Sequence, residues 1–348
     1  MRLPSLKGPM PAPFAPCRKA PAQMVRSFLT GLVLAAAASG ALAAAPIETA
    51  VETPAPLGLL KGTRLDPAAG PGPVVLIIPG SGPTDRNGDN PYGVKAATYR
   101  LLAEALAAQG VSTVRIDKRG MFASAAAAPD ADKVTIADYA GDALNWVAAI
   151  RKAPGVPCVW LLGHSEGSLV ATVAAKGRDD VCGLILVAGP GRRLGDVLRE
   201  QLKANPANAG LLGQALSALD ALEAGKRVDV KGMDTALLPL FRPQVQGYLI
   251  DLLTYDPAKA LAGYPKPVLI LSGARDLQVG AADAAALKGA QPSATLLTLP
   301  DVNHVLKTVT SDDAPANFAA YGDPSLPLAP GVEPAIRDFL VKAGVALP

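Results

Sequence analysis

The sequence predicts an α/β fold: a mostly parallel central sheet with helices on both faces and a helical lid inserted between two of its strands. Three observations predict it. Short continuous apolar runs, of which Val74-Val75-Leu76-Ile77-Ile78 is the clearest, read as strands buried on both faces. Segments with apolar residues at helical spacing separate them, and that alternation implies parallel strands joined by crossover helices. From about Gly191 to Gly263 the alternation stops and only helical spacing remains, with sheet strands on either side.

The elements follow in order. Residues 46–73 are rich in proline and glycine and hold one strand near Leu57 to Leu65. After the run 74–78, Tyr99, Leu102 and Leu106 share one helical face, and Gly110 stops that helix. Val111 to Ile116 is a strand. Thr135 with Asp138 three residues on has the form of a capping box, and Tyr139, Ala143, Trp146, Val147 and Ile150 continue at helical spacing. Val159–Leu162 is a strand, Leu169–Ala175 a helix and Leu184–Val187 a strand. The lid carries Leu194, Leu198 and Leu202, then Leu212, Leu216 and Leu219, and a helix with Tyr248, Leu249 and Leu252. The sheet resumes at Val268–Leu271, followed by a helix near 281–287, a strand at Thr295–Leu299 and a last helix from about Glu333 to Ala343. The expected organisation is a leader and signal peptide over 1–43, a first core part over 44–190, the lid over 191–263 and a second core part over 264–348.

The charge of the whole chain, +3, is set by its N-terminus. Residues 1–43 hold five basic side chains (Arg2, Lys7, Arg18, Lys19 and Arg26) and no acidic one, so the remainder has 28 basic against 30 acidic residues. No basic stripe is left to bind nucleic acid. Arg26, the apolar run Phe28 to Ala38 and Ala41-Leu42-Ala43 form an n-region, an h-region and an A-x-A cleavage signal. Export to the periplasm or medium is therefore expected, with no stable membrane span in the mature protein, against the weighed alternative of a retained anchor. Met10 and Met24 are alternative starts. Cys158 and Cys182 each begin a predicted strand; a disulfide in an oxidising compartment and two buried thiols both fit. Oligomeric state is left open.

Gly163-His164-Ser165-Glu166-Gly167 matches G-x-S-x-G between a predicted strand and a predicted helix. That context is the one a nucleophile elbow requires, since the sharp turn needs small neighbours and lifts the serine hydroxyl above the sheet. A serine needs a base to take its proton. The chain has only two histidines, and His164 is adjacent to the nucleophile with its side chain directed away from it. His304, in the loop after the strand 295–299, is the expected base. The acid that orients it is expected between them in sequence. Asp276 follows the strand 268–271 at the carboxyl edge, where ligands bind in such sheets. Asp283 is the alternative, placed on the following helix, and Asp301 lies too close to His304. Oxyanion donors are expected from the backbone N–H of Glu166 and of Ser81, with Gly82 as alternative to Ser81. The run Thr84 to Asn90 alternates Asp85, Asn87 and Asp89, but Asn90 and Ala96 stand where an EF-hand has glycine and glutamate. A hydrogen-bonded loop bracing the site is expected there. The chemistry needs no metal and no organic cofactor.

Gly-Ser-Gly-Pro-Thr-Asp-Arg-Asn-Gly at 80–88, Asp-Lys-Arg-Gly at 117–120, Gly-His-Ser-Glu-Gly at 163–167 and Asn-His-Val-Leu-Lys at 303–307 together resemble bacterial α/β-hydrolases of the serine aminopeptidase-like group. The resemblance covers about residues 57–345. It implies the α/β-hydrolase fold, a helical lid and the triad Ser165, Asp276 and His304. Met121-Phe122-Ala123-Ser124 departs from the Gly-x-Gly-x-Ser of many relatives, which affects the shape of that loop. The expected activity is carboxylic-ester hydrolysis through an acyl-enzyme, with an aminopeptidase or a thioesterase as near alternatives. Expected substrates are thus a small-molecule ester, a thioester or a short peptide. An aminopeptidase would want a lid carboxylate for the substrate ammonium, with Glu200, Glu223 and Asp251 the candidates. From another class, a non-catalytic binding protein on the same fold is the competing reading.

Overall fold

A computed structural model describes residues 44–348, apart from 129, 205–207, 312 and 348. The leader and signal-peptide expectation lies outside the described residues. The elements are β1 (Ile47–Ala55), β2 (Gly58–Asp66), β3 (Val74–Ile78), α1 (Thr98–Ala108), β4 (Ser112–Ile116), α2 (Ile136–Ile150), β5 (Val159–His164), α3 (Glu166–Ala175) and β6 (Val181–Val187). Five helices follow: α4 (Leu194–Ala204), α5 (Leu212–Glu223), α6 (Leu238–Phe241), α7 (Pro243–Leu253) and α8 (Pro257–Leu261). Then come β7 (Val268–Gly273), α9 (Ala281–Ala290), β8 (Thr295–Leu299), α10 (Ala314–Ala319) and α11 (Val332–Lys342).

The strands form one sheet in the order β1-β2-β4-β3-β5-β6-β7-β8. β1 and β2 pair antiparallel, β2 meets β4 antiparallel, and all later neighbours are parallel. The single strand expected near Leu57–Leu65 is thus the second arm of a hairpin. Its first arm, β1, is weakly marked in the sequence because its inward positions are Val51, Thr53 and Ala55, a short and partly polar set, while the rest of the strand is exposed. Pro54 fits there because an edge strand need not donate from every residue.

Each central strand feeds two cores. Leu76 and Ile78 face Tyr139, Trp146 and Leu169 on the α2–α3 side, while Val75 and Ile77 face Leu102, Leu106 and Phe339 on the α1–α11 side. That is why the run 74–78 is apolar throughout rather than alternating. The helices between β6 and β7 have a core of their own around Leu219, Leu222, Phe241 and Leu253. Leu252 and Leu261 instead join the sheet core. Thr135 caps α2 reciprocally with Asp138, as its sequence suggests.

β3 is followed by β4 on one side and β5 on the other, so the chain reverses direction across the sheet between β3 and β5. A crevice opens at the carboxyl ends of two such strands. The loop after β3 and the turn after β5 meet there.

Candidate active site

Ser165 sits between β5 and α3 at φ 54°, ψ −125°, a left-handed conformation that costs a non-glycine residue energy. The strain is held by close packing. A Cβ on Gly163 would come 2.1 Å from the Gly167 carbonyl oxygen, and one on Gly167 would come 2.3 Å from that of Ile78. The two glycines of the motif are therefore steric requirements of the turn. Ser165 N–H donates to the Val187 carbonyl at 2.9 Å, tying the turn to β6.

His304 lies in a closed turn after β8. Asn303 N–H donates to the Lys307 carbonyl, and Lys307 N–H donates back to Asn303 Oδ1 at 2.9 Å. His304 Nδ1 donates to Asp276 Oδ2 at 2.7 Å, and both side chains are buried. This bond leaves Nε2 as the basic nitrogen. The other oxygen of Asp276 accepts from Gln278 and Val279 N–H at 2.8 and 2.9 Å, which fixes the carboxylate. Asp283 is engaged elsewhere: on α9, it accepts from Gly191 and Arg192 N–H and from the Arg192 guanidinium. Asp301 lies 3.9 Å from Arg275.

Ser165 and His304 line one cavity of about 120 Å³, together with Gly80, Ser81, Thr84, Tyr99 and His164. A second cavity, of about 180 Å³, starts from Ser165, Ser81 and Glu166 and runs beneath the inserted helices, between Leu169, Val197, Leu198 and Leu252. A larger space of about 850 Å³ lies at the amino edge of the sheet, lined by Pro73, Cys158, Cys182 and Val345. Neither Ser165 nor His304 borders it. Cys158 and Cys182 form a disulfide between the starts of β5 and β6, which decides between the two options open in the sequence.

Both ends of Gly80 are held. Its N–H donates to the Tyr99 hydroxyl at 3.0 Å, and its carbonyl accepts from Lys118 Nζ at 2.6 Å. The Tyr99 hydroxyl lies 2.9 Å from His164 Nδ1, and His164 Nε2 lies 2.8 Å from the His304 carbonyl oxygen. A carbonyl only accepts, so Nε2 carries the proton and Tyr99 donates to Nδ1. Burial, with His304 alongside, pushes the His164 pKa down to about 3, so the ring stays neutral. The sequence carries no sign that His164, through Tyr99, links the loop after β3 to the loop after β8. Thr98, at the start of α1, adds a bond to the Val305 carbonyl at 2.9 Å.

The loop 84–90 is a hydrogen-bonded brace. Asp85 Oδ1 accepts from Asn87 and Asp89 N–H, and Asp89 Oδ1 accepts from Ala97 N–H ahead of α1. Arg86 pairs with Asp117 at 2.5 Å, linking this loop to the Asp-Lys-Arg-Gly motif after β4. The departing stretch after that motif forms a 3₁₀ turn over Phe122–Ala127, and the Ser124 hydroxyl donates to the Asp117 carbonyl. Arg119 clamps Asp142 through two 2.6 Å bonds. Lys118 and Glu166 face each other, buried, at 3.5 Å. The three carboxylates of the inserted helices that could hold an ammonium are used otherwise. Glu200 pairs with Arg192, Glu223 with Arg199, and Asp251 accepts from Ile136 N–H at 2.7 Å. None borders either cavity beside Ser165.

The sequence profile of the alpha/beta hydrolase family matches residues 74–321, most of the chain. The chain belongs to that family. It is 27% identical over 270 residues to the esterase EstD of Thermotoga maritima, a match that covers 76% of this chain and 62% of that longer relative. Among solved structures, the family fold is shared with Est1E of Butyrivibrio proteoclasticus bound to ferulic acid, at 19% identity and TM-score 0.55, covering 84% of this chain and 98% of that one. A malate-bound esterase of Thermogutta terrifontis superposes with TM-score 0.52 at 20% identity, covering 85% and 99%. These likenesses establish the α/β-hydrolase architecture.

Proposed function

We propose that this chain is a carboxylic-ester hydrolase working through an acyl-enzyme, with Ser165 as nucleophile, His304 as general base and Asp276 as the group that orients it. The observation that carries the reading is the 2.7 Å bond from His304 Nδ1 to Asp276, in a ring that shares a small cavity with the strained Ser165. Ser165 Oγ attacks the ester carbonyl as His304 Nε2 takes its proton. The carbonyl electrons collect on the oxygen, facing the N–H groups of Glu166 and Ser81. Collapse expels the alkoxide, which leaves with the proton from His304. Water, deprotonated by the same nitrogen, then releases the acid.

Of the two cavities beside Ser165, His304 borders the one of about 120 Å³, so the leaving alcohol belongs on that side. The acyl group belongs in the 180 Å³ cavity, whose walls include Val197 and Leu198 of α4 and Leu252 of α7. The inserted helices thereby act as the lid. The name of the Thermotoga relative supports an esterase. The occupied lid carboxylates favour esters over aminopeptidase substrates. Purified protein assayed on p-nitrophenyl butanoate and on aminoacyl anilides tests this: ester turnover lost on Ser165→Ala is expected. Anilide cleavage without ester turnover would overturn it, and a wild type inert to both substrates and to a fluorophosphonate probe would favour a binding protein.

The disulfide supports an oxidising compartment, consistent with the export signal proposed for residues 1–43. Recovery in the osmotic-shock fraction of the native cells is expected; retention in the spheroplast cytosol would contradict it. Among the described residues no helix is long and apolar enough to cross a membrane.

A further inference from the structure

We propose that Lys118 is a positioning residue for the oxyanion hole: by holding the Gly80 carbonyl it directs the Ser81 N–H toward the substrate oxygen. The inference rests on the acyl-enzyme reading above and adds a residue that the triad does not contain.

The geometry argues it in three steps. First, the chain has no cis peptide bonds among the described residues, so the C=O of Gly80 and the N–H of Ser81 point in opposite directions across one planar unit. Second, the C=O end of that unit is fixed by Lys118 Nζ at 2.6 Å, from a side chain only 3% exposed. The N–H end is thereby turned away from the buried cluster, and Ser81 borders both cavities that meet at Ser165. Third, the neighbouring donor is not available. Gly80 N–H is already given to Tyr99 at 3.0 Å. With Gly80 committed at both ends, Ser81 is the residue after β3 whose donor this arrangement orients.

A buried ammonium needs compensation. Glu166 lies 3.5 Å from Lys118 Nζ, and the Tyr139 ring centroid lies 5.1 Å from it. Glu166 is the residue after the nucleophile, so one residue offers a backbone donor to the oxyanion and a side-chain anion to the lysine behind the other donor. The two halves of the hole are thus coupled through Glu166 and Lys118. A donor fixed before the reaction needs no reorganisation as charge develops, which is the advantage of such a pin.

The test compares wild type with Lys118→Met and with Lys118→Met/Glu166→Gln. The double variant leaves no uncompensated buried charge, so it keeps the test readable if the single variant fails to fold. The readouts are kcat and KM on p-nitrophenyl butanoate and the affinity for a trifluoromethyl ketone, which forms a tetrahedral oxyanion on serine. The expected result for folded variants is a fall in kcat of about 10²-fold, the scale of a lost oxyanion donor. KM should shift by less than about threefold and the ketone affinity should fall in parallel with kcat, a split that loss of packing alone does not produce. A folded double variant with kcat and ketone affinity within about threefold of wild type would overturn the role of Lys118 while leaving the esterase reading intact. A wild type that turns over no ester would overturn both.

Discussion

His164 donates from Nε2 to the backbone carbonyl of His304 at 2.8 Å, so the chain's two histidines are joined by a bond that anchors the His304 backbone while its ring pairs with Asp276. The anchor works only while His164 is neutral: its Nδ1 must accept from Tyr99 while Nε2 donates.

That requirement predicts an acid sensitivity. Burial holds the folded pKa of His164 at about 3, below the ordinary value of 6.5. Between those values the unfolded chain binds a proton that the folded one refuses, so stability rises with pH there. This contribution is present above about pH 6.5 and is lost as pH falls toward 3, amounting to a few kcal/mol on the order of the shift. Urea melts of wild type and His164→Gln from pH 4 to pH 7 measure it. The variant is expected to be less stable at pH 7, and the gap should narrow on acidification. A constant gap would remove His164 from the account.

The two candidate acids predict opposite phenotypes. Asp276→Asn removes the group that fixes the His304 tautomer, and kcat should fall by about 10⁴-fold with little change in melting temperature. Asp283→Asn weakens the bonds to Arg192 and the backbone of Gly191 and Arg192, which are structural. It should lose about 2 kcal/mol of stability and leave kcat within a few-fold of wild type. Reversed phenotypes would reassign the acid.

The placement of these two carboxylates is readable in the sequence, because Asp276 follows an apolar strand whereas Asp283 falls on helical spacing. The elbow was equally readable, since Gly163 and Gly167 are required by packing that any strand-to-helix turn of this kind creates. What sequence spacing does not carry is lateral contact. Gly80, Lys118 and Glu166 meet although separated by 38 and 48 positions, and nothing local in Asp-Lys-Arg-Gly announces that its lysine is buried. β1 is hard to read for a different reason: the residues it turns toward α2, Val51, Thr53 and Ala55, are few and include a polar one, so no apolar alternation marks the strand.

Cavity size predicts chain-length preference. A space of about 180 Å³ holds about six groups of water size at ~30 Å³ each. Turnover of p-nitrophenyl esters should therefore rise from acetate to butanoate or hexanoate and fall beyond octanoate. Leu198→Trp, which fills the space from α4, should lower kcat/KM for hexanoate at least about tenfold relative to acetate. If both esters change equally, the acyl group occupies another space.

The disulfide predicts a separation of stability from activity. Cys158 and Cys182 join neighbouring strands across 24 residues, at the amino edge of the sheet, whereas Ser165 is at the carboxyl edge. Closing a loop of that size restricts the unfolded chain by about 3 kcal/mol in the chain-entropy account. Cys158→Ser/Cys182→Ser should therefore melt several degrees lower than wild type. Ester turnover at 25 °C should not change, because β5 and β6 remain paired over their whole length and the elbow hangs on the Val187 carbonyl rather than on the bridge. A parallel loss of kcat in the folded double serine variant would mean that the register of β5 against β6, and with it the position of Ser165, depends on the bridge.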